Sequence, residues 1–249
     1  MNLIFNPDNI HRSLKKRLSF FLYRNMFKSG RYMANVNAPE LAKMYADLFC
    51  CSKDCFPVVY DSMEISSQLR SLGECQKNEF YVFFGGRAER DVECMARIAK
   101  QMPNVKFVCV IGTNMLIPTL QNLPNVEIYI DIPQDDFNMK LAHSSLCCIP
   151  LKSKAPCGLL VMQRAALLGI PIVSTETYSM RTIIPSDDYG FLCAQGDDKA
   201  MVDKLTLLMN DANLYHKVAA NAKEHMKQFT KEEVGKQICQ AVNYMLARQ

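Results

Sequence analysis

The chain has 249 residues, of which 49% are apolar and 22% charged, with a net charge of +4. This composition fits a globular protein of one large domain, or one domain of typical size with appendages, and no segment approaches the ~20 apolar residues of a membrane span. The 11 cysteines include no CxxC pair, and Cys109, Cys147 and Cys148 sit inside apolar runs as small buried hydrophobes would. A reducing cytoplasm is therefore the expected location. His11, His143, His216 and His225 have no ligand spacing, so no metal is expected.

The positive charge is concentrated near the start. Between Arg12 and Arg31 stand Arg12, Lys15, Lys16, Arg17, Arg24, Lys28 and Arg31 with no acid, interleaved with Phe20, Phe21, Leu22, Tyr23 and Phe27. Such a helix fits three settings: the surface of an anionic membrane, a nucleic acid, or a solvated face whose apolar side packs inward. Ser29-Gly30 is a plausible stop. Ala38-Pro39-Glu40 opens a second helix with Leu41, Met44, Tyr45 and Leu48 at helical spacing, and residues 56–60 (FPVVY) read as a short strand. Two helices and one strand are too little for an independent core, so residues 1–65 must lean on a following domain or another chain. The polar residues 66–79 read as a linker.

From Phe80 the pattern turns regular. Apolar runs at 80–84, 106–111, 126–130, 146–149, 171–174 and 190–193 predict strands, and helix-period segments between them begin after 85–91, at 115–121, at 135–143 and after Gly158. Continuous apolar strands alternating with amphipathic helices predict a doubly wound parallel α/β sheet covered on both faces. Loops 85–91, 112–114, 131–133 and 152–158 then share the carboxyl edge, where such sheets bind ligands. Residues 151–176 follow the apolar run Leu146 to Pro150 with a turn at Pro156-Cys157-Gly158, a helix and a second strand. That layout aims N–H groups and a helix start at an anion, or else is an ordinary βαβ unit. The tail is helical over 197–209, 212–229 and 231–248, with Thr230 and Glu233 as a capping box. Val234, Ile238, Val242, Met245 and Leu246 form one stripe of the last helix, expected to pack in a core or between domains.

Taken together, VFFGGRAERDVECMARIAK, KFVCVIG, VEIYIDIP, IPLKSKAPCGLLVMQRAALLGIPIVSTE, YGFLCAQGDDKAM and the helix start at Phe229-Thr230 resemble the carboxyl-terminal half of a GT-B glycosyltransferase. The resemblance is to the retaining family four type (group 1), in a capsule or polysaccharide subset. It implies a Rossmann-like donor-binding domain over 80–230, an end piece of the acceptor domain over 1–65 and a packing helix over 231–249. It further implies a UDP- or GDP-sugar as donor with no cofactor required, and a saccharide or lipid-linked saccharide as acceptor. Nucleic acid is not an expected partner. Gly86, Arg87 and Arg90 would meet the diphosphate, Asp131 and Ile132 the base, and the amides at Gly158, Leu159 and Leu160 the phosphate oxygens. Lys154, or Lys152, would offset charge on the leaving group.

Two departures stand out. The family's paired glutamates, eight positions apart, fall at Pro156 and at Arg164, or at Gln163 after a one-residue slip; Gln163 or Arg164 would then reach the ribose. The chain also has room for little of an acceptor domain, which implies a separate acceptor-domain partner, a truncated product or a non-catalytic binding subunit. The expected setting is the cytoplasm, with contact at the inner face of the membrane through residues 12–31 as an alternative.

Overall fold

The structure, a computed structural model, describes residues 13–74, 79–154 and 157–247. Arg12, residues 75–78, Pro156 and Arg248, which figure in the expectations above, lie outside the described residues. The elements run α1 (Leu14–Lys28), α2 (Pro39–Phe49), α3 (Ser67–Glu74), β1 (Tyr81–Gly85), α4 (Val92–Gln101), β2 (Lys106–Ile111), α5 (Pro118–Gln121) and β3 (Val126–Ile130). They continue with α6 (Gln134–Ala142), β4 (Leu146–Ile149), α7 (Leu159–Leu167), β5 (Ile172–Thr175), β6 (Phe191–Cys193), α8 (Asp198–Asn210), α9 (Ala212–His225) and α10 (Lys231–Leu246). The chain divides into two compact units, one of Met1–Ser62 with Gln228–Gln249 and one of Met63–Lys227.

The larger unit is a six-stranded, all-parallel sheet in the order β3-β2-β1-β4-β5-β6. Its central strands are apolar throughout because both faces are covered. In β1 the period of two divides the load: Val82 and Phe84 join α4 and α8 in one buried cluster, while Phe83 meets Phe137 of α6 edge-on at 5.2 Å. The helices between strands start on side-chain caps where the sequence offers them, as at Asp91, which accepts from Cys94 N at 2.9 Å. The doubly wound α/β fold read from the sequence is the one observed.

Three local expectations change. Residues 56–60 form no strand; Val36 and Val58 make an isolated parallel bridge, and Pro57 can accept from Val36 N but has no N–H to extend the ladder. The polar stretch 66–79 contains α3, begun by Ser66, whose hydroxyl accepts from Leu69 N at 3.1 Å, and anchored by the buried Leu69. The predicted helix 115–121 is split: Thr113–Met115 is a 3-10 turn, and Pro118 restarts the chain as α5.

The smaller unit is held by an aromatic cluster in which Phe27 of α1 lies 4.7 Å from Phe56 and 5.2 Å from Phe49. Tyr60 and Phe229 meet at 5.0 Å, and Gln237 of α10 accepts from Tyr60 N. Of the expected apolar stripe of α10 only Val234 is buried; Ile238, Val242, Met245 and Leu246 are exposed. Periodicity identified the stripe but cannot say whether a neighbour covers it. Among the described residues no helix is long and apolar enough to cross a membrane.

Candidate functional site

In the observed strand order the chain leaves β1 towards β2 and β3 on one side, while β4, β5 and β6 lie on the other. Crossovers therefore diverge between β1 and β4, which opens a crevice at their carboxyl ends. Two loops close over that point, 86–91 after β1 and 150–154 after β4. They are zipped together: Arg90 and Leu151 form an antiparallel bridge, Asp91 N donates to Pro150 O at 3.0 Å and Lys152 N to Glu89 O at 2.8 Å. Ser153 adds a hydroxyl donor to the Glu89 carboxylate at 2.6 Å, and Leu151 N reaches Thr175 Oγ1 on β5 at 2.9 Å.

Arg90 lies beneath this clasp. It is only 4% exposed, and it donates from Nε to Gly85 O at 2.6 Å and from Nη1 to Ala88 O at 2.8 Å. Nη2 has no acceptor among the described residues. No salt bridge reaches this guanidinium among the described residues either. Burial pushes its pKa below the ordinary arginine value, yet an arginine keeps its proton in proteins. The result is a fixed, buried positive charge. Gly86 and Gly158 stand against it: a Cβ at Gly86 would come within 2.2 Å of Nη2, and one at Gly158 within 3.4 Å of Nη1. Both glycines have positive φ, +121° and +87°, so neither the space nor the backbone accommodates a side chain readily.

Arg87 takes a different course. Its side chain is 71% exposed and pairs with Asp131 at 3.1 Å across the ends of β1 and β3. Asp131, at φ +49°, also receives Thr113 N at 3.0 Å and Thr113 Oγ1 at 2.5 Å. Glu89 and Asp131, two non-glycine residues held at positive φ, thus sit on the same edge of the sheet, where conformational strain often marks function. The Thr113 donors, with Arg87 adding to them, hold the Asp131 carboxyl below its ordinary 3.8. A depressed carboxylate pKa stabilises the fold above the unfolded value and loses that contribution as pH falls through the folded one. Asp131→Asn is expected to lower the denaturation midpoint at neutral pH, with the difference from wild type shrinking below pH 3.8; a difference that stays constant with pH would contradict the network.

The helix start is provided by α7, whose N-cap Gly158 has φ +87° and no side-chain cap. Leu159 and Leu160 occupy its first positions, one buried and the other exposed. The first N–H groups of a helix have no partner within it. Gln163 is 1% exposed and stands four residues into α7, about 6 Å along its axis. Arg164 is half-buried, and burial lowers its pKa. Lys154 is exposed and Ile132 half-buried. The structure therefore brings Gly86, Arg90 and Gly158 into one group and Arg87 with Asp131 into a second, while Gln163 sits deeper in α7. Sequence reasoning passed over Thr113, Glu89, Ser153 and Thr175, because single polar residues carry no spacing signal of their own.

The profile described as Glycosyl transferases group 1 matches residues 76–225, more than half of the chain. The chain belongs to this family. A curated relative, the N-acetyl-alpha-D-glucosaminyl L-malate synthase of Bacillus anthracis, is 26% identical over 153 residues, which cover 59% of this chain and 39% of that enzyme. Among solved structures, Anabaena HepE in complex with UDP superposes with a TM-score of 0.79 at 18% identity, covering 97% of this chain and 70% of HepE. The sucrose-phosphate synthase of Thermosynechococcus elongatus gives 0.74 at 16% identity, covering 98% of this chain and 65% of that one. These likenesses establish a Rossmann-like GT-B fold. The chain spans about two fifths of the curated relative's length.

Of the residues at which the resemblance put the family's paired glutamates, Pro156 lies outside the described residues, Gln163 is buried and Arg164 half-exposed.

Proposed function

We propose that the crevice between β1 and β4 binds the diphosphate of a UDP- or GDP-sugar, and that the chain is the donor-binding part of a glycosyltransferase. The buried Arg90 carries this reading. A guanidinium removed from water costs several kcal/mol unless an anion compensates it, and the described residues supply two carbonyl oxygens but no carboxylate. Nη2, beside Gly86, keeps donors for a phosphate oxygen. The start of α7 contributes N–H groups and the positive end of its dipole, and both glycines let backbone approach. HepE, similar in fold, has been crystallised with UDP and with UDP-glucose, which supports a uridine nucleotide as the first ligand to test.

When the glycosidic bond to the diphosphate breaks, negative charge grows on the leaving phosphate. Arg90 is already desolvated and fixed there, Arg87 can swing from Asp131 to the same anion, and Lys154 approaches from solvent. Preorganised charges of this kind are worth several kcal/mol in a transition state. With the leaving phosphate assisting deprotonation of the acceptor, no separate general base is needed and the anomeric configuration is retained. The acceptor is a saccharide or lipid-linked saccharide presented by an acceptor domain, in this polypeptide or a partner. Isothermal titration with UDP, GDP and inorganic phosphate tests the site: a preference for one nucleoside diphosphate supports it, and failure of all three ends it. Arg87→Ala should weaken that binding by ~1.5–3 kcal/mol, the range of charged hydrogen bonds, and an unchanged affinity would remove Arg87 from the site.

A second reading, a nucleotide-sugar-binding subunit without catalysis, is favoured by one observation. The second glutamate's place is taken by Gln163 or Arg164, neither of which is an acid. Donor hydrolysis and transfer assays with and without an added acceptor-domain protein separate the two, since binding without turnover in every combination selects the subunit.

A further inference from the structure

Helix α1 has two apolar faces. Phe20 and Phe27 turn into the aromatic cluster, at 5.5 and 5.2 Å from Phe49, and Tyr23 stacks on Phe27. Leu14, Leu18, Phe21 and Leu22 follow the i, i+4, i+7, i+8 spacing of a second stripe, and each is more than half exposed. On a projection of about 100° per residue, exposed Lys15 borders this second stripe on one side and exposed Arg17 and Lys28 on the other. There is no Asp or Glu from Leu14 to Arg31, and no salt bridge reaches Lys15, Lys16, Arg17 or Lys28 among the described residues.

We propose that α1 lies flat on an anionic lipid surface, its outer stripe at the acyl boundary and its cations on headgroup phosphates. An apolar band edged by cations and free of acids has the charge pattern such a surface selects. An uncharged protein groove would leave those cations without counter-ions, and a second copy of the same face would repel them. Because Phe27 anchors the opposite face in the core, docking of α1 places its whole unit at the bilayer. The proposal rests on α1 alone and is independent of the donor site.

The test is sedimentation of the full 249-residue chain with phosphatidylcholine vesicles and with vesicles containing phosphatidylglycerol. The chain should bind the anionic vesicles and not the neutral ones, and added salt should release it. Phe21→Glu, or Lys15→Glu with Arg17→Glu, should weaken binding at least about tenfold, as reversal of two surface-facing charges at ~1 kcal/mol each requires. All three positions are exposed, and UDP affinity measured on the same variants should not move. Binding to neither vesicle, equal binding to both, or a wild-type dimer that Phe21→Glu dissolves would each overturn the proposal, the last by assigning the stripe to a second copy of the chain.

Discussion

Arg90→Met is expected to abolish nucleoside diphosphate binding while destabilising the ligand-free fold by only about 2 kcal/mol. Two effects oppose each other in the empty protein. Methionine loses the bonds to Gly85 O and Ala88 O, at a cost of about 1.5–3 kcal/mol for each bond to a charged donor. It also removes a desolvated charge with no carboxylate partner among the described residues, a substitution that often stabilises by about 1–4 kcal/mol. About 3–6 kcal/mol lost against about 1–4 kcal/mol regained leaves a net destabilisation centred on about 2 kcal/mol. Binding has no such offset, because truncating a buried partner of a charged pair costs about 2–5 kcal/mol, roughly 30-fold to several thousand-fold in affinity. Arg90→Lys should not rescue it: an ammonium cannot span Gly85 O, Ala88 O and the ligand as the planar fork does. Denaturant unfolding and calorimetry on the same samples decide the matter. If the methionine variant unfolds, Arg90 is a structural strut; if affinity survives, the diphosphate lies elsewhere.

How far the site could be read from the sequence depends on what each signal encodes. The strands Lys106–Ile111, Val126–Ile130 and Leu146–Ile149 coincide with the apolar runs that announce them; the two inner ones, Lys106–Ile111 and Leu146–Ile149, are covered on both faces and need no polar face. The carboxyl-edge loops follow from that alternation too. The difference between Arg87 and Arg90 does not, for in GGRAERD both are cations in a polar loop. What buries one and exposes the other is the pairing of Arg90 with Leu151, a contact between residues some sixty positions apart that no local pattern contains. The same limit explains α3, where a polar stretch hides the inward-facing Leu69, and α10, where the stripe was visible but its exposure was not.

Gly86→Ala should destabilise the sheet-containing unit by about 3 kcal/mol or more, and it separates space from backbone strain. A methyl carbon there would lie 2.2 Å from Arg90 Nη2 and 2.6 Å from Cζ. The end of an arginine usually swings away from such an intrusion at little cost. This one is buried and held by bonds of 2.6 and 2.8 Å, so making room means breaking at least one of them, about 1.5–3 kcal/mol. The alanine must also adopt φ +121°, which adds about 1–3 kcal/mol. Gly196→Ala is the matched control, because Gly196 has φ +75° and nothing within 4 Å of a built Cβ; it should show the backbone cost alone. In an Arg90→Met background the steric part of the Gly86→Ala penalty should disappear, leaving a coupling of about 1–3 kcal/mol in the double-mutant cycle. Equal penalties at Gly86 and Gly196, with no coupling to Arg90, would mean that the guanidinium is free to move, and it would then lose its standing as the fixed charge on which the anion site depends.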